Sequence, residues 1–275
     1  MQFTVRSKRL AGAAVAVATL LGLVGCAPAA DTAPAEGEGL GTITVGALLT
    51  PAGDILKFVQ DNLAEDAGLK IVFQEFTDYN TPNPALSDGS TDANLFQNAT
   101  FLKNSNEQTG GDLISLGKIY LPSAAFYSDK VKDLDDLKDG ARIAIPNDPT
   151  NEGRALKILA AEGLIETTKE PISLTDITKN PHDFEFVEVE NATLPQAVAD
   201  VDAAFVTISF ALPAGLKAKD AILIEGNDSP YFNVLATRPE LKNDARVQKL
   251  RELLLSKETQ QFMLDTWGGL VVPAA

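Results

Sequence analysis

Arg154 lies near the start of a predicted helix, where the helix dipole favours acidic rather than basic side chains. Residues 147–164 read NDPTNEGRALKILAAEGL, and the run from Leu156 to Leu164 predicts the helix. The residues before it form turns and caps. We therefore predict that Arg154, in the first turn, holds an anionic ligand group that the helix N-terminus also favours. The alternative is a surface arginine paired with Glu152 or Asp148.

Two asparagines flank the same helix start. A side-chain oxygen at this point either accepts hydrogen bonds from the free backbone amides of the first turn or contacts a ligand. We assign Asn151 to the N-cap and keep Asn147 as a candidate ligand contact.

Other chemistry-bearing residues are few. The one histidine, His182, stands in the turn-forming stretch Asn-Pro-His-Asp and is predicted to be exposed and uninvolved. No nucleophile elbow, phosphate-binding glycine loop or His/Cys cluster is present in the sequence. The acidic run at 134–140 lacks the alternating ligands of a calcium loop. We expect neither an enzyme, although composition leaves a paired-carboxylate hydrolase open, nor a metal or cofactor site.

The N-terminus predicts export and lipidation. Arg6, Lys8 and Arg9 precede an apolar stretch at 10–24 that is short for a membrane span. The following Cys26 is the only cysteine, and the arrangement resembles a bacterial lipoprotein signal with Cys26 as the acylated first residue. Residues 1–25 are then the signal peptide, and 26–40 are the lipidated cysteine and a flexible tether of roughly 45 Å at most.

Charge and composition narrow the class further. Loss of residues 1–25 removes three basic groups and leaves 20 basic against 38 acidic side chains, a net charge of −18. We therefore expect no nucleic-acid partner. Without a cysteine in the mature chain, the fold depends on its hydrophobic core rather than on disulfides.

The elements that must position Arg154 alternate between strands and helices. Strands at 42–49 and 69–76 enclose a helix whose apolar face is Ile55, Val59 and Leu63, which predicts a parallel βαβ unit. Further strands are predicted at 92–96, 112–120, 123–128, 142–146, 184–189, 202–208, 221–225 and 232–237, and further helices near 82–88, 193–199, 244–256 and 260–266. The fold class is α/β in two lobes, with ligands expected at strand carboxyl ends.

Several sequence blocks resemble the methionine-binding lipoprotein family, the substrate-binding subunits of methionine ABC importers. The resemblance covers nearly all of 42–273. It is carried by FTDY at 76–79, DANLFQ at 92–97, IPNDPTNEGRAL at 145–156, DAA at 202–204, SPY at 229–231 with Asn233, and VVP at 271–273.

The resemblance implies a type II periplasmic-binding-protein fold. Lobe I would comprise 41–123 plus 226–275, and lobe II would comprise 124–225, with two crossovers forming a hinge. The ligand would lie between the lobes and be buried when the hinge closes.

The resemblance also implies roles for individual residues. Arg154 matches the arginine that holds the ligand carboxylate, a task that suits a planar guanidinium. Tyr79 and Phe96 match the aromatic walls around the thioether, where sulfur and ring attract each other; the alternative is that both are ordinary core aromatics. Asn233 matches an asparagine that contacts the amino-acid head group, and it interrupts an otherwise apolar strand. Trp267 is predicted to pack the terminal helix.

Three departures from the family pattern fall near the expected pocket. Asn98 stands where a histidine is common, and Thr207 with Ser209 replaces an Asn-Gly-Asn-Tyr segment. The first strand continues into Leu48-Leu49-Thr50-Pro51 rather than a Pro and His segment. A relocated buried hydrogen bond changes binding by about 1–3 kcal/mol, so these residues are candidates for ligand selection.

The function implied is capture and delivery. We expect a monomeric, lipid-anchored protein on the extracytoplasmic face of the cell membrane that binds methionine and docks on an ABC permease with its ATPase subunits. Another apolar amino acid or a small methionine-containing peptide is the alternative ligand. Rival classes are a binding subunit for a sulfonate or metal, and a surface adhesin.

Overall fold

A computed structural model of the protein describes residues 39–275. The predictions for the signal peptide, Cys26 and most of the tether lie outside the described residues. The strands are β1 (Gly41–Leu48), β2 (Leu69–Phe76), β3 (Ala93–Asn94), β4 (Ile114–Pro122), β5 (Ala124–Tyr127), β6 (Arg142–Pro146), β7 (Glu166–Thr167), β8 (Ile177–Lys179), β9 (Glu185–Val189), β10 (Ala203–Thr207), β11 (Ala221–Ile224), β12 (Asn233–Thr237) and β13 (Val271–Pro273).

The α-helices are α1 (Asp54–Val59), α2 (Pro82–Ser87), α3 (Ala99–Thr109), α4 (Pro149–Ala161), α5 (Leu194–Ala197), α6 (Ile208–Ala211), α7 (Ala245–Leu254) and α8 (Lys257–Trp267). Helix α1 is preceded by a turn at Leu49–Gly53, in which Thr50 is extended, and is followed by a π-helical turn at Gln60–Ala64.

The first lobe is built on a six-stranded sheet of order β13-β4-β12-β3-β1-β2. Strands β1 and β2 pair in parallel from Gly41 opposite Leu69 to Leu48 opposite Phe76, so the predicted βαβ unit is confirmed. The apolar face of α1 buries Ile55 and Val59 in the same core. Helices α7 and α8 cover the sheet as well, and Trp267 packs edge-on against Phe262 as predicted.

The second lobe is built on a five-stranded sheet of order β11-β5-β10-β6-β9. Its core joins the inner face of α4, with Leu156 and Leu159, to the sheet residues Phe126, Ile143 and Phe205. A two-stranded ribbon, β7 with β8, lies beside α4. Two sheets with helices packed on them confirm the α/β, two-lobed fold class.

The chain passes between the two sheets twice. It leaves the first sheet after Pro122 and enters the second at Ala124, and it returns between Ile224 and Asn233. A third apolar cluster lies between the lobes and combines Leu48, Tyr79 and Phe96 with second-lobe residues, namely Ala125, Tyr127, Ala144, Leu194, Val198, Val201, Ala204, Val206, Phe210 and Ala211. The two lobes therefore meet through an apolar surface beside the two crossovers.

The structure differs from the sequence predictions in several elements. Helix α3 was not predicted, and the third strand is shorter than expected, covering only Ala93–Asn94. The ribbon β7–β8, the short helix α6 and the terminal strand β13 were also missed. Within residues 39–275, no helix combines the length and apolar character needed to cross a membrane.

Candidate functional site

A small cavity lies between the lobes, next to both crossovers. The lining contains six of the eight predicted ligand contacts. The residues that line it are Tyr79, Phe96, Gln97, Asn98, Phe101, Pro122, Asn151, Arg154, Thr207 and Asn233.

Arg154 reaches this cavity from α4, but its place in the helix differs from the prediction. The N-cap is Asp148, whose carboxylate accepts from the amides of Thr150 and Asn151, so the assignment of the cap to Asn151 was wrong. Because α4 begins at Pro149, Arg154 lies in the second turn rather than the first. The side chain is 2% exposed. In the second turn the helix dipole no longer accounts for an arginine at this position, whereas its contact with the cavity does.

The partner of Arg154 is Glu225, which sequence reasoning missed. The Arg154 Nε donates to Glu225 Oε1 at 2.9 Å, and Nη2 donates to Glu225 Oε2 and to the Pro122 carbonyl, at 2.8 Å from the latter. The Tyr231 ring covers the guanidinium, with 4.9 Å between Cζ and the ring centroid. The alternative pairing with Glu152 or Asp148 was wrong, because neither makes an ion pair with Arg154 in the described part of the chain.

The opposite wall carries amides that are held in place by buried hydrogen bonds. Asn233 Nδ2 donates to the Tyr120 hydroxyl at 3.1 Å, and burial raises the pKa of Tyr120. Asn98 Oδ1 caps α3 by accepting from the Phe101 amide at 2.9 Å. Gln97 exchanges two hydrogen bonds with Asn83, at 2.7 and 2.6 Å. The first-lobe wall is therefore rigid and polar.

Aromatic side chains form the remaining wall. Tyr79 and Phe96 lie with ring centroids 5.8 Å apart, and Phe101 completes a triangle at 5.8 and 5.9 Å. Phe210 of the second lobe packs on Tyr79 at 4.8 Å. Phe101 and Phe210 were not predicted as part of the site. Rings at these separations attract each other and leave a firm apolar surface.

Further hydrogen bonds join the lobes around the cavity. The hydroxyls of Tyr79 and Thr207 are 3.1 Å apart, and Asn104 Nδ2 donates to Thr150 Oγ1 at 2.9 Å. Ser209 lies outside the cavity lining. Burial raises the pKa of Tyr79, and the nearby hydroxyls of Thr207 and Ser209 oppose that shift. The hydrogen bond to Thr207 therefore holds the Tyr79 ring between the lobes.

Two residues from the sequence analysis lie away from this cavity. Asn147 is exposed, and its backbone amide pairs with the Val189 carbonyl at the end of the sheet. It is not among the residues that line the cavity. His182 is accessible and pairs with Asp139 at 3.0 Å. Within residues 39–275, no group of three or more His, Cys, Asp and Glu side chains is arranged so that it could hold a metal ion.

Four side-chain polar atoms on the lining residues make no hydrogen bond to the rest of residues 39–275. Two are donors, Arg154 Nη1 and Asn98 Nδ2, and two are acceptors, Asn151 Oδ1 and Asn233 Oδ1. Donors suit a carboxylate, and amide oxygens suit an ammonium group. With the aromatic wall beside them, the free groups match a zwitterion that carries an apolar side chain.

We expect Thr207→Val to weaken ligand binding by about five- to tenfold. The substitution leaves the buried Tyr79 hydroxyl without its inter-lobe partner, and an unpaired buried hydroxyl costs about 1–3 kcal/mol. Ser209 offsets part of the loss. Isothermal titration of Thr207→Val and of Tyr79→Phe, which removes the same hydrogen bond from the other side, would check this. Wild-type affinity in both variants would contradict it.

Two α/β lobes joined by two crossovers, with a lined cavity between them, define the class of periplasmic substrate-binding proteins. Residues 43–275 match the family described as NlpA lipoprotein, and the chain belongs to that family. It is a binding protein and not an enzyme.

Relatives and solved structures agree with this assignment. The D-methionine-binding lipoprotein MetQ of Salmonella typhi is 38% identical over 234 residues, covering 82% of this chain and 86% of that protein. A periplasmic substrate-binding protein of an ABC transporter from Coxiella burnetii is 38% identical with a TM-score of 0.81, covering 84% of this chain and 100% of that one. A nutrient binding protein from Burkholderia cenocepacia, bound to methionine, is 37% identical with a TM-score of 0.81, covering 85% and 100%.

Proposed function

We propose that the protein captures methionine between its lobes and delivers it to an ABC permease. The observation that carries the proposal is one cavity in which Arg154, free amide groups and an aromatic wall face each other. The relatives that are named for methionine, and the Burkholderia structure bound to it, support the choice of ligand.

Within this proposal, each wall of the cavity holds one part of the ligand. Arg154 Nη1 and Asn98 Nδ2 bind the carboxylate, while Asn233 Oδ1 accepts from the ammonium group. Tyr79 and Phe96 contact the thioether, where each sulfur–ring contact contributes about 0.3–1.5 kcal/mol. Thr207 and Ser209 act through Tyr79. Asn147 keeps no proposed ligand contact, because its side chain lies at the surface.

The moving bodies are proposed to be lobe I, at 41–123 plus 226–275, and lobe II, at 124–225. The change of sheet near residue 123, and again after Ile224, supports these limits. The closed lobes dock on the permease, and its ATPase subunits drive release. Cleavage after residue 25 leaves Cys26 as the acylated membrane anchor of an extracytoplasmic monomer.

Thermal unfolding of residues 27–275 against the common amino acids tests the ligand. At one hundred times its dissociation constant, a ligand adds about 2.7 kcal/mol, roughly 5–10 °C for a chain of this size. We expect methionine to give the largest shift. A larger shift with another apolar amino acid or a methionine dipeptide would make Asn98, Thr207 and Ser209 the determinants of that choice. No shift in ligand-free protein would contradict the amino-acid function.

A further inference from the structure

We propose that Glu225 is a positioning residue for ligand binding, and that its charge makes the site select zwitterions over simple carboxylates. This inference rests on the proposed amino-acid function. It adds a prediction of which carboxylate-containing ligands the site binds.

Glu225 is held at the point where both crossovers meet. Its backbone amide donates to the Ala124 carbonyl at 2.9 Å, and its Oε2 accepts from the Ala124 amide at 3.3 Å. Ser229 Oγ, from the returning crossover, donates to Oε1 at 2.8 Å. The carboxylate therefore has a fixed orientation that does not depend on Arg154.

The same carboxylate fixes the guanidinium plane. It engages Nε and Nη2 together, and the Pro122 carbonyl takes a second hydrogen bond from Nη2. A two-point contact of this kind sets both the position and the plane of an arginine. Among the guanidinium nitrogens, only Nη1 is left without a partner in residues 39–275. A ligand carboxylate can therefore reach the guanidinium at one defined edge.

The pair also sets the charge that a ligand meets. Arg154 is 2% exposed and the Glu225 side chain 7% exposed, so both charges are shielded from water. Arg154 and Glu225 neutralise each other before any ligand carboxylate arrives. A carboxylate without an ammonium group would bring an uncompensated negative charge into this site, which is unfavourable at low dielectric. A zwitterion adds no net charge, and its ammonium group meets the free amide oxygens of Asn151 and Asn233.

The variant Glu225→Gln distinguishes an effect of the Glu225 charge on ligand selection from a purely structural effect. Isothermal titration would compare methionine with 4-(methylthio)butanoate, which is methionine without its amino group. In the variant, Arg154 is uncompensated, so we expect the preference for methionine over 4-(methylthio)butanoate to fall at least tenfold relative to wild type. A purely structural role would weaken both ligands by the same factor, and an unchanged ratio would overturn the proposal.

Two further variants serve as controls. Glu225→Asp keeps the charge and shortens the reach, so affinity should fall while the preference for methionine stays within threefold of wild type. Glu162→Gln removes an exposed carboxylate at the end of α4 and should change neither affinity nor preference. Loss of preference in Glu225→Asp or in Glu162→Gln would contradict a charge effect specific to Glu225.

A second readout needs no amino acid. Sodium acetate should raise the melting temperature of ligand-free Glu225→Gln by about 3 °C more than sodium chloride does, because acetate can bind the uncompensated Arg154 guanidinium at Nη1. Wild type should show no such difference. Equal shifts in both proteins would overturn the charge role. Failure of wild type to bind any amino acid would contradict the proposed function and the zwitterion rule, while the acetate result would still decide whether Glu225 neutralises Arg154.

Discussion

Arg154→Ala is expected to weaken methionine binding at least tenfold and to lower the free energy of unfolding by roughly 3–5 kcal/mol. The first effect follows from losing the guanidinium that lines the cavity. The second follows because Glu225 becomes a buried, unpaired carboxylate. Isothermal titration and urea unfolding would measure the two effects separately.

The double variant Arg154→Ala/Glu225→Ala is the matched control. Removing both charges is often close to neutral for stability, whereas removing one is not. We therefore expect the double variant to regain much of the lost stability but none of the lost affinity. Binding of methionine by Arg154→Ala within twofold of wild type would show that Arg154 does not hold the ligand.

Glu152→Gln is expected to stabilise the protein at pH 8 by about 1–3 kcal/mol and to have a smaller effect at pH 5. Glu152 is buried in the first turn of α4, and its Oε1 has no hydrogen-bond partner within residues 39–275. Burial and the neighbouring carboxylates of Glu188, Asp148 and Asp176 raise the pKa of Glu152 to about 7, while a hydrogen bond to the Leu174 backbone opposes the shift.

The sign follows from proton linkage. The folded protein binds the Glu152 proton more tightly than the unfolded chain does. Protonation of Glu152 therefore stabilises the fold, and this stabilisation is fully present below the ordinary carboxyl pKa near 4.5. It is lost as pH rises through about 7. Urea unfolding from pH 5 to pH 8 would test this, with Glu162→Gln at the exposed end of α4 as control. A Glu152→Gln variant that is less stable than wild type at pH 8 would show that the ionised carboxylate is required.

The sequence was sufficient to predict the helices and strands whose apolar residues recur with a clear period. Strand β2 is Leu69–Phe76, as predicted, because its β-branched and aromatic residues lie between turn-forming residues on both sides. Helix α3 was missed because its sequence ATFLKNSNEQT is mostly polar and buries only Leu102. Its limits are set instead by the Asn98 cap and by Gly110, which adopts a left-handed conformation at the end.

The candidate site was predictable where residues match the family pattern, and not where distant segments meet. Glu225 follows the apolar run of β11 and resembles the polar end of any strand, so only the fold shows that it meets Arg154, 71 residues earlier. Phe210 reaches Tyr79 from the other lobe, across 131 positions of sequence. A carboxylate immediately after an apolar strand and before a Ser-Pro-Tyr turn is the one signal that could have indicated Glu225.

The contacts of Arg154 with Pro122 and Glu225 also limit how this protein can change its ligand. Arg154, which we propose binds the ligand carboxylate, also bonds residues at the two crossovers between the lobes, so a substitution there is expected to alter closure as well as recognition. Tyr79, Phe101 and Phe210 lie beyond the joint and are held by ring packing. A change in which ligand side chain is preferred is therefore expected to arise from substitutions in the aromatic wall. The residues proposed to contact the ligand head group are expected to stay unchanged.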